Sequence, residues 1–157
     1  MAELEFRRAD PDDLDVVHRL QVDAIRHGAA AHYDDDALEA WIGAFNREAF
    51  AENVERREVW IAEEAGRTLG YASLDPATFE VDSIYVAPEA AGRGVGSALM
   101  EHILDVAREH RLENVWLDAS LNAVPFYERM GFVATGDGSR TRGGVTIRCT
   151  RMARLVR

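Results

Sequence analysis

A glycine-rich turn between a predicted strand and a predicted helix constrains this chain more than any other segment. The turn reads Gly92-Arg93-Gly94-Val95-Gly96. The unpaired N–H groups at a helix start, together with the helix dipole, bind anions such as pyrophosphate. Glycines let the backbone approach such an anion closely. On the glycines alone, an ordinary loop is an equally good interpretation.

Two familiar nucleotide motifs do not fit this turn. A dinucleotide fingerprint needs a third glycine, but the two positions where it would fall hold Ser97 and Leu99. A phosphate loop of the Walker type needs a lysine, and all 18 basic residues of the chain are arginine. The missing lysine also excludes a Schiff-base mechanism and lysine autoacetylation. With both motifs excluded, the remaining functional interpretation is a phosphate-binding turn of another kind.

Composition narrows the class of protein further. The chain has 157 residues, of which 47% are hydrophobic and 29% charged, as expected for one globular domain. Its net charge of -10 argues against nucleic-acid binding. The absence of a signal-like start and of a long apolar run predicts a soluble, cytoplasmic protein with no membrane partner. The single cysteine, Cys149, excludes an internal disulfide and a thiolate zinc cage, and we expect no metal.

Hydrophobic periodicity gives the order of the elements. Four helices are predicted: one from Asp10-Pro11, one from Asp34 with Phe45 still on its inner stripe, one from Val95, and one over residues 123–130. Strands are predicted over residues 4–8, 59–63, 68–74, 80–86, 115–119, 132–134 and 145–152, the last two around a Gly/Arg/Thr-rich hairpin loop. This pattern predicts one mixed α/β domain of the α+β type over residues 1–157, mostly antiparallel, with about six or seven strands and about four helices.

A second informative segment lies downstream of the glycine turn and contains two adjacent aromatic residues. Taken alone, Phe126 and Tyr127, followed by Gly131 and Phe132, are typical of core aromatics. They lie about 30 residues after the glycine turn, behind a helix and a further strand. In this order the chain resembles the GNAT superfamily of N-acetyltransferases, most strongly from Glu80 to Phe132. The family's phosphate motif, Q/R-x-x-G-x-G/A, falls on residues 91–96, with Ala91 in place of the leading Gln or Arg.

The resemblance implies a splayed sheet that holds acetyl-CoA as co-substrate. The pantetheine arm would lie between the strand of residues 84–86 and the strand of residues 115–119. Ser120 stands where the family often has an asparagine that contacts CoA, and Asn122 is a nearby substitute. The implied cofactor-binding residues are Ile84, Tyr85, Val86, Gly92, Arg93, Gly94, Val95, Gly96, Ser97, Ala98, Ser120, Asn122 and Phe126.

The resemblance also implies a mechanism, in which an amine attacks the thioester directly within a ternary complex. Tyr127 would be the general acid that protonates the leaving thiolate. Glu80 stands at the position of a catalytic base in histone-type members, and Asp82 is an alternative, as is the absence of any fixed base. Strand alternation predicts that Glu80, Asp82 and Ile84 share one face.

The acceptor is expected to be a primary amine of a small molecule or peptide. In the superfamily, specificity lies mainly in the first two helices and the last hairpin, here residues 24–50 and 137–146. Those segments carry Trp41, Phe45, Arg140 and Arg142, which suggest a pocket. His27, His32 and Tyr33 are weaker candidates for the same pocket. A homodimer is compatible with the fold.

Two other functions stay open at this point. A regulatory or sensor module would keep the CoA cradle without turnover, although an intact Phe126-Tyr127 pair favours the enzyme. A nucleotide-binding module of another kind would use the same glycine turn for a ligand other than CoA.

Overall fold

The computed structural model describes residues 3–157, which form one seven-stranded sheet with helices on its faces. The strands are β1 (Leu4–Arg8), β2 (Glu58–Glu64), β3 (Arg67–Asp75), β4 (Glu80–Val86), β5 (Asn114–Ser120), β6 (Val133–Arg142) and β7 (Val145–Leu155). The α-helices are α1 (Leu14–Gly28), α2 (Asp35–Gly43), α3 (Arg47–Arg56), α4 (Val95–Glu109) and α5 (Val124–Arg129). Short 3-10 helices lie at Pro11–Asp13, Pro88–Ala90 and Leu121–Ala123. Residues 1 and 2 of the predicted domain lie outside the described residues.

The sheet is mixed and mostly antiparallel, as predicted. Its strand order is β1-β2-β3-β4-β5-β7-β6, and only β4 and β5 run parallel. These two strands share a single pair, Glu80 with Trp116, whereas β3 and β4 stay paired from Asp75–Glu80 to Gly70–Val86. The sheet therefore opens between β4 and β5 toward the carboxyl end of β4.

Helix α4 covers one face of the centre of the sheet. Its apolar stripe is fully buried at Leu99, Met100 and Ile103. The opposite face of the sheet is covered by the first helices. Alternation along β3 separates the two layers, because Gly70 lies against Leu99 of α4 while its neighbour Tyr71 stacks on Tyr85 on the other side. The buried stripe fixes α4, and with it the glycine turn at its start.

The first helical segment begins as predicted, with a capping box. The Asp10 side chain accepts a hydrogen bond from the Asp12 N–H (2.8 Å), and the Asp13 carboxylate accepts one from the Asp10 N–H (2.8 Å). Asp13 also pairs with Arg7 at 2.7 Å, and this hydrogen-bonded guanidinium lowers the pKa of the Asp13 carboxyl. The 3-10 turn at residues 11–13 delays the start of the α-helix to Leu14.

The prediction for the second helix was wrong at its carboxyl end. Asp34 caps α2 as expected, but the helix ends at Gly43, which leaves Phe45 outside it. A separate helix, α3, follows, with the Asn46 side chain accepting from the Ala49 N–H at 2.8 Å. The described residues thus hold five α-helices rather than about four. The signal for α3 was Asn46, a favoured cap residue directly after a break.

The prediction of a long hairpin loop before Val145 was also wrong. Strand β6 continues to Arg142, and the turn is only Gly143-Gly144, both with positive φ (53° and 77°). A two-residue turn of this kind suits two glycines. The strand was missed because β6 is an exposed edge strand, so residues 134–142 show no apolar alternation.

Replacement of Gly70 by alanine should destabilise the fold at the centre of the sheet. A Cβ at this position would lie 2.8 Å from both the Leu99 Cδ1 and the Tyr85 carbonyl oxygen. We expect Gly70→Ala to lower the free energy of unfolding by about 1–3 kcal/mol, as overpacking does, measured by urea denaturation. Gly43→Ala is the matched control, because nothing lies within 4 Å of its added Cβ. Equal stability of the two variants would contradict the packing described here.

Candidate active site

The gap between β4 and β5 contains a cavity of about 260 Å³. One wall is the edge of β4 from Val81 to Val86, which has no strand partner on this side within residues 3–157. The opposite wall comes from Leu117 of β5 and Tyr127 of α5. Residues 24–29 of α1 close the third side. Ile84, Tyr85 and Val86, predicted to bind the pantetheine arm, therefore do line this cleft.

The glycine turn presents unpaired amides at the start of α4. Gly92 and Gly94 have φ values of 78° and 84°, which glycine adopts without strain. No acceptor within the described chain pairs with the N–H groups from Gly94 to Ser97, and the first to pair is Ala98, which donates to the Gly94 carbonyl at 3.0 Å. Four unpaired amides at one helix start can hold an anionic group such as pyrophosphate.

Gly96 is needed for a different reason, close packing. A Cβ added there would lie 3.3 Å from the Phe126 ring and 3.5 Å from the Val86 side chain. Phe126, predicted as a cofactor-binding residue, therefore packs behind the turn. The absence of a side chain at residue 96 brings the start of α4 against the end of β4, so that the turn and the cleft form one continuous surface.

Arg93 of the same turn is engaged elsewhere. Its guanidinium Nη2 lies 2.8 Å from Glu64 Oε2 at the end of β2. An arginine in this pair neutralises the acid nearest the turn. Its predicted contact with phosphates would require the guanidinium to serve two anions, and that role stays a prediction.

Tyr127, which the sequence predicts to be the general acid, lies on the wall of the cleft. It is 8% exposed, and its ring makes edge contacts with Phe126 and Phe132 at centroid distances of 5.1 and 5.8 Å. Burial, with a smaller contribution from nearby Tyr85, raises the pKa of the Tyr127 phenol above its ordinary value. The hydroxyl therefore keeps its proton at neutral pH and is available as a donor.

Ser120 and Asn122, which the sequence predicts to contact the cofactor, both line the cleft. The Oδ1 atom of Asn122 is buried and has no hydrogen-bond partner in the described chain. A buried acceptor of this kind is costly unless a ligand donates to it. This orphaned oxygen, the unpaired amides and the packing at Gly96 all fit an elongated ligand that ends in phosphates and carries amide N–H groups, as CoA does.

A larger cavity of about 530 Å³ lies on the face of the sheet covered by the first helices. Its walls come from α2, α3, β4 and the β6–β7 hairpin. The two cavities share the lining residues Trp41, Val81, Asp82, Ser83, Tyr85, Asp118 and Ser120. They therefore meet at β4 and the end of β5, where the sheet begins to part.

A β-bulge at Asp82 corrects the predicted alternation along β4. Val81 pairs with Leu74 and Ser83 with Ser73, so Asp82 is left without a partner on β3. The extra residue reverses the face of the sheet toward which the following side chains point. Glu80 and Asp82 share the larger cavity as predicted, but Ile84 lines only the smaller one, and Ser83 and Tyr85 take its expected place.

Asp82 and Asp118 are the two carboxylates that line both cavities within the described residues. The Oδ2 of Asp82 lies 2.5 Å from Arg57 Nη1, and its Oδ1 is buried without a hydrogen-bond partner in the described chain. Burial raises the pKa of the Asp82 carboxyl above its ordinary value, although the nearby Ser73 hydroxyl and, to a smaller extent, the Arg57 charge oppose the rise. Sequence reasoning missed Arg57, since nothing local connects the end of α3 to β4.

Glu80 is held in an ion-pair network that crosses the opening of the sheet. Arg140 Nη2 lies 2.6 Å from Glu80 Oε2 on β4 and 2.6 Å from Asp118 Oδ2 on β5. Arg151 binds the other oxygen of Asp118 at 2.9 Å. The hydrogen bonds from Arg151 and Arg140 hold the pKa of Asp118 below its usual range. Arg140 thus joins the two strands at the root of the cleft.

The side chains predicted to suggest an acceptor pocket all line the larger cavity, namely Trp41, Phe45, Arg140 and Arg142. Tyr33 lines it too, and its hydroxyl donates to the Arg148 carbonyl (2.5 Å) and accepts from the Leu121 N–H (2.9 Å). His27 lines the smaller cavity, and His32 lines neither.

Residues 3–157 contain neither a cluster of metal ligands nor a helix suited to a membrane. No group of three or more His, Cys, Asp or Glu side chains there is placed to hold a metal ion. In the same part of the chain, no helix combines the length and the apolar character that crossing a bilayer requires.

Comparison with known proteins points to one family. The family model described as the acetyltransferase (GNAT) domain matches residues 29–155. An uncharacterised N-acetyltransferase of Escherichia coli, YafP, is 28% identical over 132 residues, which cover 84% of this chain and 83% of that protein. A GCN5-related N-acetyltransferase structure from Rhodopseudomonas palustris matches with a TM-score of 0.92 and 29% identity over 99% of this chain and 97% of its own. The Salmonella typhimurium protein YncA, solved with its cofactor acetyl-CoA, is 26% identical with a TM-score of 0.64, covering 99% of this chain and 95% of its own.

Removal of the Arg140 guanidinium should weaken the fold in a pH-dependent way. We expect Arg140→Met to lower the free energy of unfolding at pH 7 by about 1–2 kcal/mol, because Glu80 loses its partner and Asp118 loses one of two. The pKa of Asp118 is lowered in the folded state, so its stabilisation is present above about pH 4 and is lost as the pH falls through the folded value.

The loss should therefore shrink when urea denaturation is repeated at pH 3. Arg19→Met, at an exposed arginine without an ion pair in the described chain, is the control and should change stability little at either pH. A loss of the same size at both pH values would show that packing, not charge, is what Arg140 contributes.

Proposed function

The chain belongs to the GNAT acetyltransferase family and is an N-acetyltransferase that uses acetyl-CoA, and we propose that it acetylates the primary amine of a small molecule or peptide by direct attack within a ternary complex. The observation that carries the proposal is the junction of the two cavities at Asp82, Ser83 and Tyr85. An amine in the larger cavity would reach a thioester in the smaller one without an enzyme-bound intermediate.

The position of Cys149 supports direct attack. It is the only cysteine of the chain, and it lines the larger cavity but not the cleft. Burial, followed by the charge of Asp118, raises the pKa of the Cys149 thiol, so little thiolate is present at neutral pH. A nucleophilic cysteine needs the opposite environment. An acetyl-cysteine intermediate is therefore disfavoured.

For the donor, we propose that backbone amides supply most of the recognition. The unpaired N–H groups from Gly94 to Ser97 would hold the pyrophosphate, with the Ser97 hydroxyl beside them. The free edge of β4 at residues 84–86 would pair with the amides of the pantetheine arm, and Asn122 Oδ1 would accept from one of its N–H groups. Ser120 would border the thioester end, where the two cavities meet.

In the chemical step, the amine nitrogen attacks the thioester carbonyl carbon and the carbon–sulfur bond breaks. The developing oxyanion would be stabilised by a strand N–H near Val86. Tyr127 would give its proton to the departing thiolate of CoA. The proton lost by the amine would pass to a carboxylate, directly or through one water.

Asp82 is better suited to take this proton than Glu80. Asp82 borders both cavities and belongs to a carboxyl whose pKa is raised by burial, so that its proton affinity is closer to that required near neutral pH; the only polar group near its Oδ1 is the Ser73 hydroxyl, which is too poorly placed for a regular hydrogen bond. Glu80 lines only the larger cavity, and its Oε2 is already engaged by Arg140 at 2.6 Å. We therefore assign the base to Asp82, the alternative of the sequence prediction.

Loss of the Tyr127 hydroxyl should slow turnover without weakening donor binding. We expect Tyr127→Phe to lower kcat by about 10²-fold or more, the usual contribution of a general acid, with the Kd for acetyl-CoA nearly unchanged. CoA release, measured with a thiol reagent over a panel of amines, reports kcat, and calorimetry reports the Kd. Ser139→Ala is the control, since it removes an exposed hydroxyl from a residue that lines neither cavity. An unchanged kcat in Tyr127→Phe would remove the proposed role.

The two carboxylates should differ in their effect on the pH dependence. Because the pKa of Asp82 is raised, kcat/KM should rise as the pH increases through that value and the carboxyl loses its proton. We expect Asp82→Asn to lower kcat/KM by about 10²-fold and to leave only the rise that deprotonation of the amine itself causes, whereas Glu80→Gln should keep the additional limb. The profiles would be measured by CoA release from pH 5 to 9. Loss of the limb in Glu80→Gln alone would return the assignment to Glu80.

A further inference from the structure

The arginines of the larger cavity fall into two groups. Arg57 and Arg140 are neutralised, because each forms ion pairs with carboxylates of the cavity wall. Arg142 and Arg148 are different. Within residues 3–157, no carboxylate lies within 4.0 Å of either guanidinium, and the only side-chain hydrogen bond of Arg142 goes to the neighbouring Thr141 carbonyl.

Unpaired arginines lining a cavity are unexpected in so acidic a chain. There are 28 acidic residues against 18 arginines, and carboxylates already serve Arg57 and Arg140 in the same cavity. Guanidinium groups bind carboxylates and phosphates with two parallel hydrogen bonds. The Arg142 guanidinium, with the exposed Arg148 at the rim of the same cavity, is therefore suited to an anionic group brought by a ligand.

The position of these two arginines indicates which end of a bound molecule would lie near the β6–β7 hairpin. Arg142 ends β6 and Arg148 lies on the adjoining β7, where it pairs with Ser139. Both line the larger cavity, and neither lines the cleft that would hold the thioester. Asp82 lies at the junction of the two cavities. The anionic end of a bound molecule would therefore lie on the hairpin side, and its amine would lie at β4.

Aromatic side chains occupy the walls between these two ends. Tyr33 and Trp41 meet edge to face at 5.7 Å, and Phe45 and Phe50 meet at 5.9 Å. Burial raises the pKa of Tyr85, and the hydrogen bond from Trp41 is the largest influence against the rise, with the Arg142 charge adding a smaller one.

We propose that the acceptor is a small-molecule amine that also carries a carboxylate or phosphate, and that Arg142 and Arg148 bind this anionic group. The inference rests on the proposed function for the identity of the reacting amine. A cavity of about 530 Å³ lies in the range of small-molecule sites. An aromatic or other flat body between the two charged groups fits the walls.

Matched acceptors would test the proposal directly. Phenethylamine is compared with 4-(2-aminoethyl)benzoate, and tyramine with O-phosphotyramine, so each pair differs mainly in the anionic group and the two pairs separate carboxylate from phosphate. L-tyrosine and L-tyrosinamide form a third pair, in which the tyrosine carboxylate lies beside the amine and the amide is its neutral counterpart. We expect kcat/KM to be at least about tenfold higher for the anionic member of at least one pair, and the advantage to fall with added salt.

The double variant Arg142→Gln/Arg148→Gln should remove this preference. We expect KM for the preferred anionic acceptor to rise about tenfold or more, while kcat/KM for its neutral counterpart and the KM for acetyl-CoA stay unchanged. Arg19→Gln, at an exposed arginine of α1 outside both cavities, is the matched control and should behave as the wild type. Circular dichroism and thermal unfolding check that the double variant is folded.

The outcomes separate this inference from the proposed function. If no amine is acetylated, the same acceptors are titrated against the protein and followed by tryptophan fluorescence. Binding of an anionic acceptor that the double variant loses would support the arginine site although the activity is absent. Equal kcat/KM, or equal affinity, for the charged and neutral members of all three pairs would overturn the inference, as would an equal loss for both members in the double variant.

Discussion

The separation of β4 from β5 is the constraint on which the rest of the structure depends. Two adjacent parallel strands normally form a continuous ladder, and here only the pair Glu80–Trp116 forms. The unpaired edge of β4 is costly unless something else meets its polar groups. Arg140 joins the strands at the root of the cleft, and the aromatic side chains of α5 fill the space behind it. The free edge is thereby kept open for a ligand backbone that can replace the missing strand.

Because of the bulge at Asp82, strand β4 contributes to the larger cavity as well as to the cleft. A regular β4 would alternate, and Ser83 would then face the opposite layer from Asp82. The extra residue brings Asp82, Ser83 and Tyr85 to one cavity while Ile84 and Val86 keep to the cleft. The strand can therefore present backbone to a donor and side chains to an acceptor. The cost is a buried carboxylate with one unpaired oxygen, which Arg57 only partly offsets.

Features that depend on local chemistry could be predicted from the sequence. The glycine turn, the capping box at Asp10 and the place of Tyr127 follow from residue types at fixed spacing, and the fold class follows from the order of the elements. Three features could not be predicted: the bulge at Asp82, the ion pair of Arg57 with Asp82, and the ion pairs that Arg140 forms across β4 and β5. Each joins residues at least 22 positions apart, or depends on the register of two strands, which no single segment encodes. Strand β6 was missed because an exposed edge strand has no apolar pattern to detect.

The overall charge of -10 opposes the approach of a polyanion such as CoA, but the local arrangement matters more than the total. At physiological salt, charges beyond about 8 Å are largely screened. Within that distance of the turn, the unpaired amides of α4 and their dipole would act on bound phosphates with little screening. The acid Glu64 at the end of β2 is paired with Arg93. The proposed binding of this anion through the backbone is thus compatible with an acidic protein, and Arg93 would contribute even without touching the phosphates, by cancelling a charge that would repel them.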